Sequence, residues 1–426
     1  MRILIISDHA DPLAEVGSKE AGGQNIYILY LAKYLCRLGI YVDVYTRWDK
    51  NNKREIVNLN NHLRVIRIKA GPKRYIPRDT FLQVIDEFSD NVCKRVKREK
   101  MRYDIIHANY WFSGVIGLKI AKKMKIPMVF VFHSIGQVRF ETLKKYQLQK
   151  DDYILFQTRK LWENTIVHKT DKIIATSPVE KQIIKKIFNI SEEKIKCIPI
   201  GVDQDIFYPV PFLKARRSVR VPEKGKLILY VGRIEWRKGI GTLLYAFKEI
   251  LKKYPEAMLY VIGGGKSKSA QKLEQPETDR LKNMIKDLEL QKNVIFRGPR
   301  SQKRLAYYYS AADVCVVPSY YEPFGIVPLE AMACGTPVVA SKTGGLKFTV
   351  VPEKTGYLAE PRNYQDLAEK IELVLKKEKD YFQENCLKRI RDNFVWEKIA
   401  GQYIKYFNEL VKKCQELKNK KIILKL

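Results

Sequence analysis

Short runs of β-branched and aliphatic residues alternate with amphipathic stretches from the first residues onward. No other feature restricts the fold as much. In the first half the predicted strands are Ile3–Ile6, Val42–Tyr45, Val65–Ile68, Ile105–His107, Met128–His133, Ile173–Thr176 and Ile195–Ile198. Amphipathic stretches separate several of them, notably Ile26–Leu38 and Thr80–Lys97. Apolar strands joined by helices are what a parallel sheet covered on both faces requires, so the pattern predicts a doubly wound α/β fold.

The rhythm breaks at "PIGVDQDIFYPVPFLKARRSVRVPEKGK" (199–226), which holds four prolines, lacks periodicity and reads as a connector. A second α/β series follows, with predicted strands Leu227–Val231, Met258–Ile262, Val294–Phe296, Val314–Val317 and Val338–Ala340. From about Asn363 the sequence reads as helical, and the last helix carries Trp396. The predicted division is residues 1–205, 206–395 and a terminal helix over 396–426. Two Rossmann-like halves with opposed carboxyl-end loops predict a cleft between them.

Composition narrows the class. A chain of 426 residues with 46% hydrophobic and 11% aromatic residues is globular and long enough for two or three domains. No stretch approaches the roughly 18 apolar residues a spanning helix needs, and the apolar run in "MRILIISDHA" is too short for a signal peptide. A cytoplasmic location is the expectation. Seven scattered cysteines without close Cys or His partners argue against a disulfide framework and against structural zinc, so no metal site is expected. The net charge of +32 attracts anions: phosphorylated metabolites, nucleic acid or acidic membrane. No basic run is interleaved with aromatics as a base-stacking platform would be.

Glycine stands where strands feed helices. In "EAGGQN" (20–25), Gly22 and Gly23 precede the Ile26 stretch and would let backbone amides approach an anionic ligand. "GGGKSKS" (263–269) invites a P-loop reading, but Tyr260 stands where the first glycine of that motif must be. Helical periodicity resumes only around Thr278, so the stretch reads as a glycine loop and not as a triphosphate cradle. In "VGRIEWRKGI" (231–240), Arg233 and Lys238 flank a strand exit and the next helix start. An arginine fork and a lysine point charge suit a diphosphate that must carry leaving-group charge.

"SYYEPFGIVPLEAMACGTPVVAS" (319–341) adds two glutamates eight positions apart, Glu322 in a polar turn and Glu330 inside an apolar helix. With a helix beginning near Ile326, the amides of Phe324, Gly325, Ile326 and Val327 become anion donors. The carboxylates would repel a phosphate but accept hydroxyls, a sugar ring at Glu322 and a ribose at Glu330. Cations and amides for a diphosphate, flanked by carboxylates for hydroxyls, describe a nucleotide-sugar site.

"EPFGIVPLE" and the Gly-Arg…Lys-Gly pair resemble the donor site of retaining glycosyltransferases of family 4, which have the GT-B fold. The resemblance runs from "SDHADPLAEVGSKEAGGQNIY" to the Trp396 helix, which in that fold crosses back to the first domain. It implies that His133 of "FHSIG" contacts the donor sugar and that Glu322 orients it, with no metal or other cofactor needed for the chemistry. The donor would be a nucleotide-sugar such as UDP-glucose or GDP-mannose. Sucrose-phosphate, mannosylfructose-phosphate and mycothiol-pathway synthases are similar and use phosphorylated acceptors. The acceptor positions of the last fall on His9, Asn25, Arg78, Tyr110, Ser134 and Arg159, where Arg78 replaces a lysine and Ser134 a threonine. The resemblance also implies retention through same-face attack, with the leaving diphosphate taking the acceptor proton.

Two other readings compete. A lipid or cell-wall glycosyltransferase would use the basic surface and the Lys-rich "VKKCQELKNKKIILKL" to sit weakly on anionic membrane. An inactive nucleic-acid-binding protein of the same fold would have lost donor-site residues, and none is lost. The sequence leaves the oligomeric state open.

Overall fold

A computed structural model describes residues 1–14, 22–76, 78–144, 150–265 and 268–423. The chain divides into two compact units. The first holds the described parts of residues 1–199 together with 396–423, and the second holds 200–395.

The first unit is built on β1 (Arg2–Ile6), β2 (Tyr41–Arg47), β3 (Ile56–Asn60), β4 (Leu63–Ile68), β5 (Ile105–Asn109), β6 (Met128–Val131), β7 (Lys172–Ala175) and β8 (Ile195–Cys197). These form one sheet in the order β3-β4-β2-β1-β5-β6-β7-β8. Every pairing is parallel except β3 with β4. Ile3 of the central β1 lies opposite Val42 on one side and Ile105 on the other, and Ile3–Ile6 are completely buried. Burial on both faces explains why these strands read as unbroken apolar runs.

The sequence reading missed β3. Its Asn58, Leu59 and Asn60 are exposed, so this antiparallel edge strand carries no apolar pattern. The stretch expected to be helical over Thr80–Lys97 divides into a 3₁₀ segment, Arg78–Val84, and a helix, Ile85–Arg98. The strand expected to run to His133 ends at Val131, and His133 has turned to φ +57° beyond the sheet.

The second unit contains β9 (Leu227–Val231), β10 (Met258–Ile262), β11 (Val294–Gly298), β12 (Val314–Val317), β13 (Val338–Ser341) and β14 (Gly356–Ala359). They make a wholly parallel sheet ordered β11-β10-β9-β12-β13-β14. The edge strand β14 was not predicted, being led by glycine and without a β-branched residue. The helix expected from Thr278 runs from Lys268 to Asp287, with Pro276 inside it. Its first half is polar and lacks the apolar stripe that later appears at Leu281 and Ile285.

The terminal helix Trp396–Ile423 belongs to the first unit and packs on the helix Gly23–Arg37. Trp396 is completely buried, stacked 6.4 Å from Tyr30 and 6.2 Å from Tyr34. Seven residues on, the Tyr403 hydroxyl meets that of Tyr27 at 2.6 Å. Trp396 Nε1 has no hydrogen-bond partner among the described residues, so this side chain anchors by packing alone. Trp396→Ala is expected to cost about 3–5 kcal/mol of stability, as large aromatic truncations do. Tyr403→Phe, which removes one hydroxyl, is expected to cost about 1 kcal/mol. Denaturant midpoints check both; equal losses would mean that the helix is held by its polar contact.

Candidate active site

In each sheet the strand order reverses next to the first strand laid down, between β1 and β5 in the first unit and between β9 and β12 in the second. Loops leaving the carboxyl ends of such neighbours separate to opposite faces and leave a hollow for ligands. The predicted residues gather at these two points.

In the second unit, β9 runs into Gly232 and Arg233, then a 3₁₀ turn, Trp236–Lys238. Gly239 ends the turn at φ +70°, where a Cβ would stand 2.0 Å from the Pro318 carbonyl oxygen. Glycine is required there by both conformation and space. The close approach brings Lys238 to the turn after β12, where its Nζ pairs with Glu322 Oε2 at 2.5 Å. A second glycine supports that turn from behind. Gly344, at φ +45°, would place a Cβ 2.0 Å from the Glu322 carbonyl oxygen, and the Gly345 N–H donates to that oxygen and to Pro323 O, both at 3.1 Å.

Arg233 is half exposed and pairs with Glu235 at 2.8 Å. The other oxygen of Glu235 takes Arg237 Nε at 2.8 Å. Sequence reasoning passed over Arg237 as one more basic residue. The structure makes it part of the charge set, because besides pairing with Glu235 it acts on the Glu322 carboxylate as a second cation after Lys238. Burial opposes ionisation of Glu322, but Lys238 and then Arg237 outweigh it and hold the carboxyl below its ordinary value.

The helix predicted near Ile326 spans Ile326–Ala333, led by Gly325 at φ +94°. Helix geometry leaves the first-turn amides without internal partners, and no hydrogen bond to the amides of Phe324, Gly325, Ile326 or Val327 occurs outside the helix among the described residues. The Phe324 ring is buried, so its contribution to a ligand is its backbone. Glu330 lies four residues into the helix, 5% exposed, and accepts the Tyr309 hydroxyl at 2.7 Å. No cation faces it. Burial pushes its carboxyl up to about 7, against the pull of that hydroxyl. The two glutamates thus stand in opposite environments, one ionised beside cations and the other poised near neutrality.

In the first unit, His9 follows β1, and its Nδ1 lies 3.0 Å from Oδ2 of the buried Asp8. Tyr110 follows β5 at φ +76°, with its ring 4.9 Å from that of His9. The Arg159 guanidinium stacks 4.8 Å from the Tyr110 ring centroid, and Nη1 donates to the Tyr110 hydroxyl at 3.1 Å. Its Nη2 donates to the Ser134 carbonyl, and its Nε donates to Glu163 Oε1 at 2.7 Å. Glu163, 1% exposed, also accepts the Gly136 N–H, at 3.1 and 3.0 Å. His9, Tyr110, Ser134 and Arg159 are therefore one connected group, with Glu163 as a support the sequence reading missed. Its only sequence signal is the i,i+4 spacing from Arg159.

Asn25 is 5% exposed and spends both ends of its amide on the chain: Oδ1 accepts the Gly22 N–H at 3.0 Å, and Nδ2 donates to Asp11 O at 2.8 Å. Gly23 opens the helix Gly23–Arg37. Residues 20–21 of the first glycine loop and 266–267 of the second lie outside the described residues, as does the side chain of Arg78. The backbone of Arg78 begins the 3₁₀ segment whose Phe81 ring lies 6.5 Å from that of His9. His133 sits past β6, Nε2 2.9 Å from Asn109 Oδ1, edge-on to Tyr27.

Glu330 yields a test with two readouts. Its folded pKa is raised from 4.5 to about 7, so the native state keeps a proton that the unfolded chain releases. Stability from this site is complete below pH 4.5 and declines as pH rises to 7, by about 3 kcal/mol. Glu330→Gln lacks this titration and is expected to gain on the wild type between pH 5 and 8 in urea denaturation. The same variant, with one acceptor oxygen fewer, is expected to bind a nucleotide ligand less well. A stability difference that does not change with pH would overturn this account of Glu330.

The sequence model described as Glycosyltransferase Family 4 matches residues 21–206, and that described as Glycosyl transferases group 1 matches residues 212–392. A D-inositol 3-phosphate glycosyltransferase of Corynebacterium jeikeium is 33% identical over 96% of this chain and 97% of its own length. The mannosylfructose-phosphate synthase of Agrobacterium fabrum is 32% identical over 95% of this chain and 90% of its own. The solved sucrose-phosphate synthase of Thermosynechococcus elongatus superposes with a TM-score of 0.86 at 35% identity, covering 97% of this chain and 99% of that one. With two parallel-sheet units, a terminal helix returning to the first, and similarity along almost its whole length, the chain belongs to the family 4 glycosyltransferases of the GT-B fold.

Proposed function

We propose that the protein is a retaining hexosyltransferase that moves a glucosyl or mannosyl group from a nucleotide-sugar to a phosphorylated small molecule. The observation that carries this reading is the Lys238–Glu322 pair beside the open amides of Gly325–Val327. It sets a cation and backbone donors for a diphosphate next to an ionised acceptor for sugar hydroxyls. Arg233 and Lys238 take up the leaving-group charge that peaks in the transition state. Glu322, with His133, holds the hexose, and Glu330 takes the ribose hydroxyls. The Gly23 amide is a further donor contact. The leaving diphosphate accepts the proton of the attacking hydroxyl, so no side-chain nucleophile enters the scheme. UDP-glucose and GDP-mannose both suit such a site.

The acceptor side rests on His9, Asn25, Arg78, Tyr110, Ser134 and Arg159. Fructose 6-phosphate, inositol phosphate and a phosphoglycerate glycoside are the acceptors to test first, since the similar enzymes are named for phosphorylated substrates. The charge of +32 supports an anionic acceptor. Arg159 enters this reading as a fixed positive wall that orders Tyr110 and the Ser134 carbonyl. Arg78 is the arginine proposed to reach the phosphate.

Two experiments test the reading. Lys238→Ala and Arg233→Ala are expected to lower kcat by about a hundredfold in an assay of released nucleoside diphosphate. Near-wild-type turnover in the folded double variant would remove these residues from the site. Arg78→Ala is expected to lower acceptor kcat/KM roughly ten- to a hundredfold, and the deficit should vanish with the dephosphorylated acceptor. Arg159→Ala is a poorer probe, because it strands buried Glu163 at a cost of about 3–5 kcal/mol. A preference for an uncharged sugar or lipid acceptor would overturn the phosphate assignment.

A further inference from the structure

His133 is bound on one side by a chain of buried polar groups that dictates where its proton sits. Asn109, at the end of β5, is completely buried. Its Nδ2 is surrounded by His107 Nδ1 at 3.0 Å, Ile6 O at 3.2 Å and His107 O at 3.2 Å. Two of these are carbonyl oxygens, which only accept, so the amide nitrogen must be the atom placed among them. The opposite end of the amide, Oδ1, then faces His133 Nε2 at 2.9 Å and can only accept. Nε2 of His133 therefore carries the hydrogen.

The same logic runs the other way along the chain. Because Asn109 Nδ2 donates to His107 Nδ1, His107 carries its hydrogen on Nε2. That N–H points to the Tyr27 hydroxyl at 3.4 Å, and Tyr27 in turn meets Tyr403 of the terminal helix at 2.6 Å. Both histidines are neutral. Burial lowers His107 to about 3, and burial, assisted by His107 and His9, lowers His133 to about 3. The second nitrogen of His133, Nδ1, has no hydrogen-bond partner among the described residues, and the residue itself is only partly buried.

We propose that Asn109 is a positioning residue that fixes His133 as the Nε2–H tautomer, leaving Nδ1 as a hydrogen-bond acceptor for a hydroxyl of the donor hexose. The proposal rests on the reading of His133 as a donor-sugar contact and gives that contact a direction. An acceptor nitrogen recognises a group with a hydrogen to give. It discriminates against a fluorine or an ether oxygen at the same position, where a protonated imidazole would not. Replacing the Asn109 amide by a carboxylate reverses this, because an anion beside Nε2 favours the imidazolium and places a hydrogen on Nδ1.

The experiment is ¹⁵N spectroscopy of the full chain labelled at its five histidines, with His133 assigned by difference from His133→Gln. The expected wild-type pattern is a protonated Nε2 and an unprotonated Nδ1 at neutral pH. Asn109→Asp is expected to protonate both nitrogens, and Asn109→Ala to give mixed tautomers. A wild-type His133 protonated on Nδ1, or an unchanged pattern in both folded variants, overturns the proposal. The wild-type spectrum decides the tautomer even if a variant fails to fold.

A panel of nucleotide-sugars, each with one hexose hydroxyl replaced by fluorine, completes the test. For the contacted hydroxyl, wild-type kcat/KM is expected to fall tenfold or more, and the loss to shrink in Asn109→Asp. If the tautomer is as expected but no fluorinated donor is discriminated, the placement of His133 at the donor sugar fails and the acceptor role fails with it. If discrimination is seen with an Nδ1–H tautomer, the donor contact stands and the role of Asn109 falls.

Discussion

A parallel sheet must be covered on both faces, and the rest of this structure follows from that requirement. Strands buried on both sides are mostly apolar, and the few polar residues they carry, such as Asp43, His107 and Asn109, are hydrogen-bonded in place. Chemistry is therefore confined to the carboxyl-end loops, and the greatest opening lies where neighbouring strands send their connections to opposite faces. His9, Tyr110 and His133 follow β1, β5 and β6, and Arg233 and Glu322 follow β9 and β12, for that reason. Close backbone approaches then set the reach of the side chains. Without a glycine at 239, the carbonyl of Pro318 could not lie where it does, and Lys238 could not close on Glu322.

The central strands were legible because double-sided burial leaves a continuous apolar run at each. Strand β3 was not, since its outer half is exposed, and β14, led by glycine and only partly buried at Tyr357 and Leu358, lacks the β-branched run of the equally short β12 and β13. The polar first half of the Lys268–Asp287 helix hid for the same reason as β3, namely that solvent and not the core faces it. At the candidate site the residue types and spacing of Arg233, Lys238, Glu322 and Glu330 were readable. Their partners were not. Tyr309 and Arg237 act through contacts that no local pattern encodes, Glu163 carried only its i,i+4 spacing from Arg159, and Asn109 gave no signal beyond its position at a strand end. The spacing of the two glutamates likewise said nothing of their different protonation.

The charge layout has a logic of its own. Lys238 rests on Glu322, Arg233 and Arg237 share Glu235, and Arg159 rests on Glu163. In a chain of net charge +32, these cations are not left to diffuse among surface conformers. Each is held by a carboxylate, which lowers the ordering entropy that a ligand must supply. The same carboxylates limit how strongly an anion can bind before chemistry. That restraint suits the role proposed for Arg233 and Lys238, which is to stabilise charge as it develops.

The return of the terminal helix to the first unit has a bearing on how the protein is made. In chain order the second unit is an insertion: it begins after Pro199 and is finished before Trp396 resumes the first. On the ribosome the later sheet can close as soon as its last strand and helices emerge. The earlier one must wait with the outer side of its Gly23–Arg37 helix uncovered until the final segment arrives. Tyr27, Tyr30 and Tyr34 lie on that side. The half synthesised first is thus completed last. For as long as translation of the second unit lasts, a row of aromatic rings is what a nascent-chain chaperone would find.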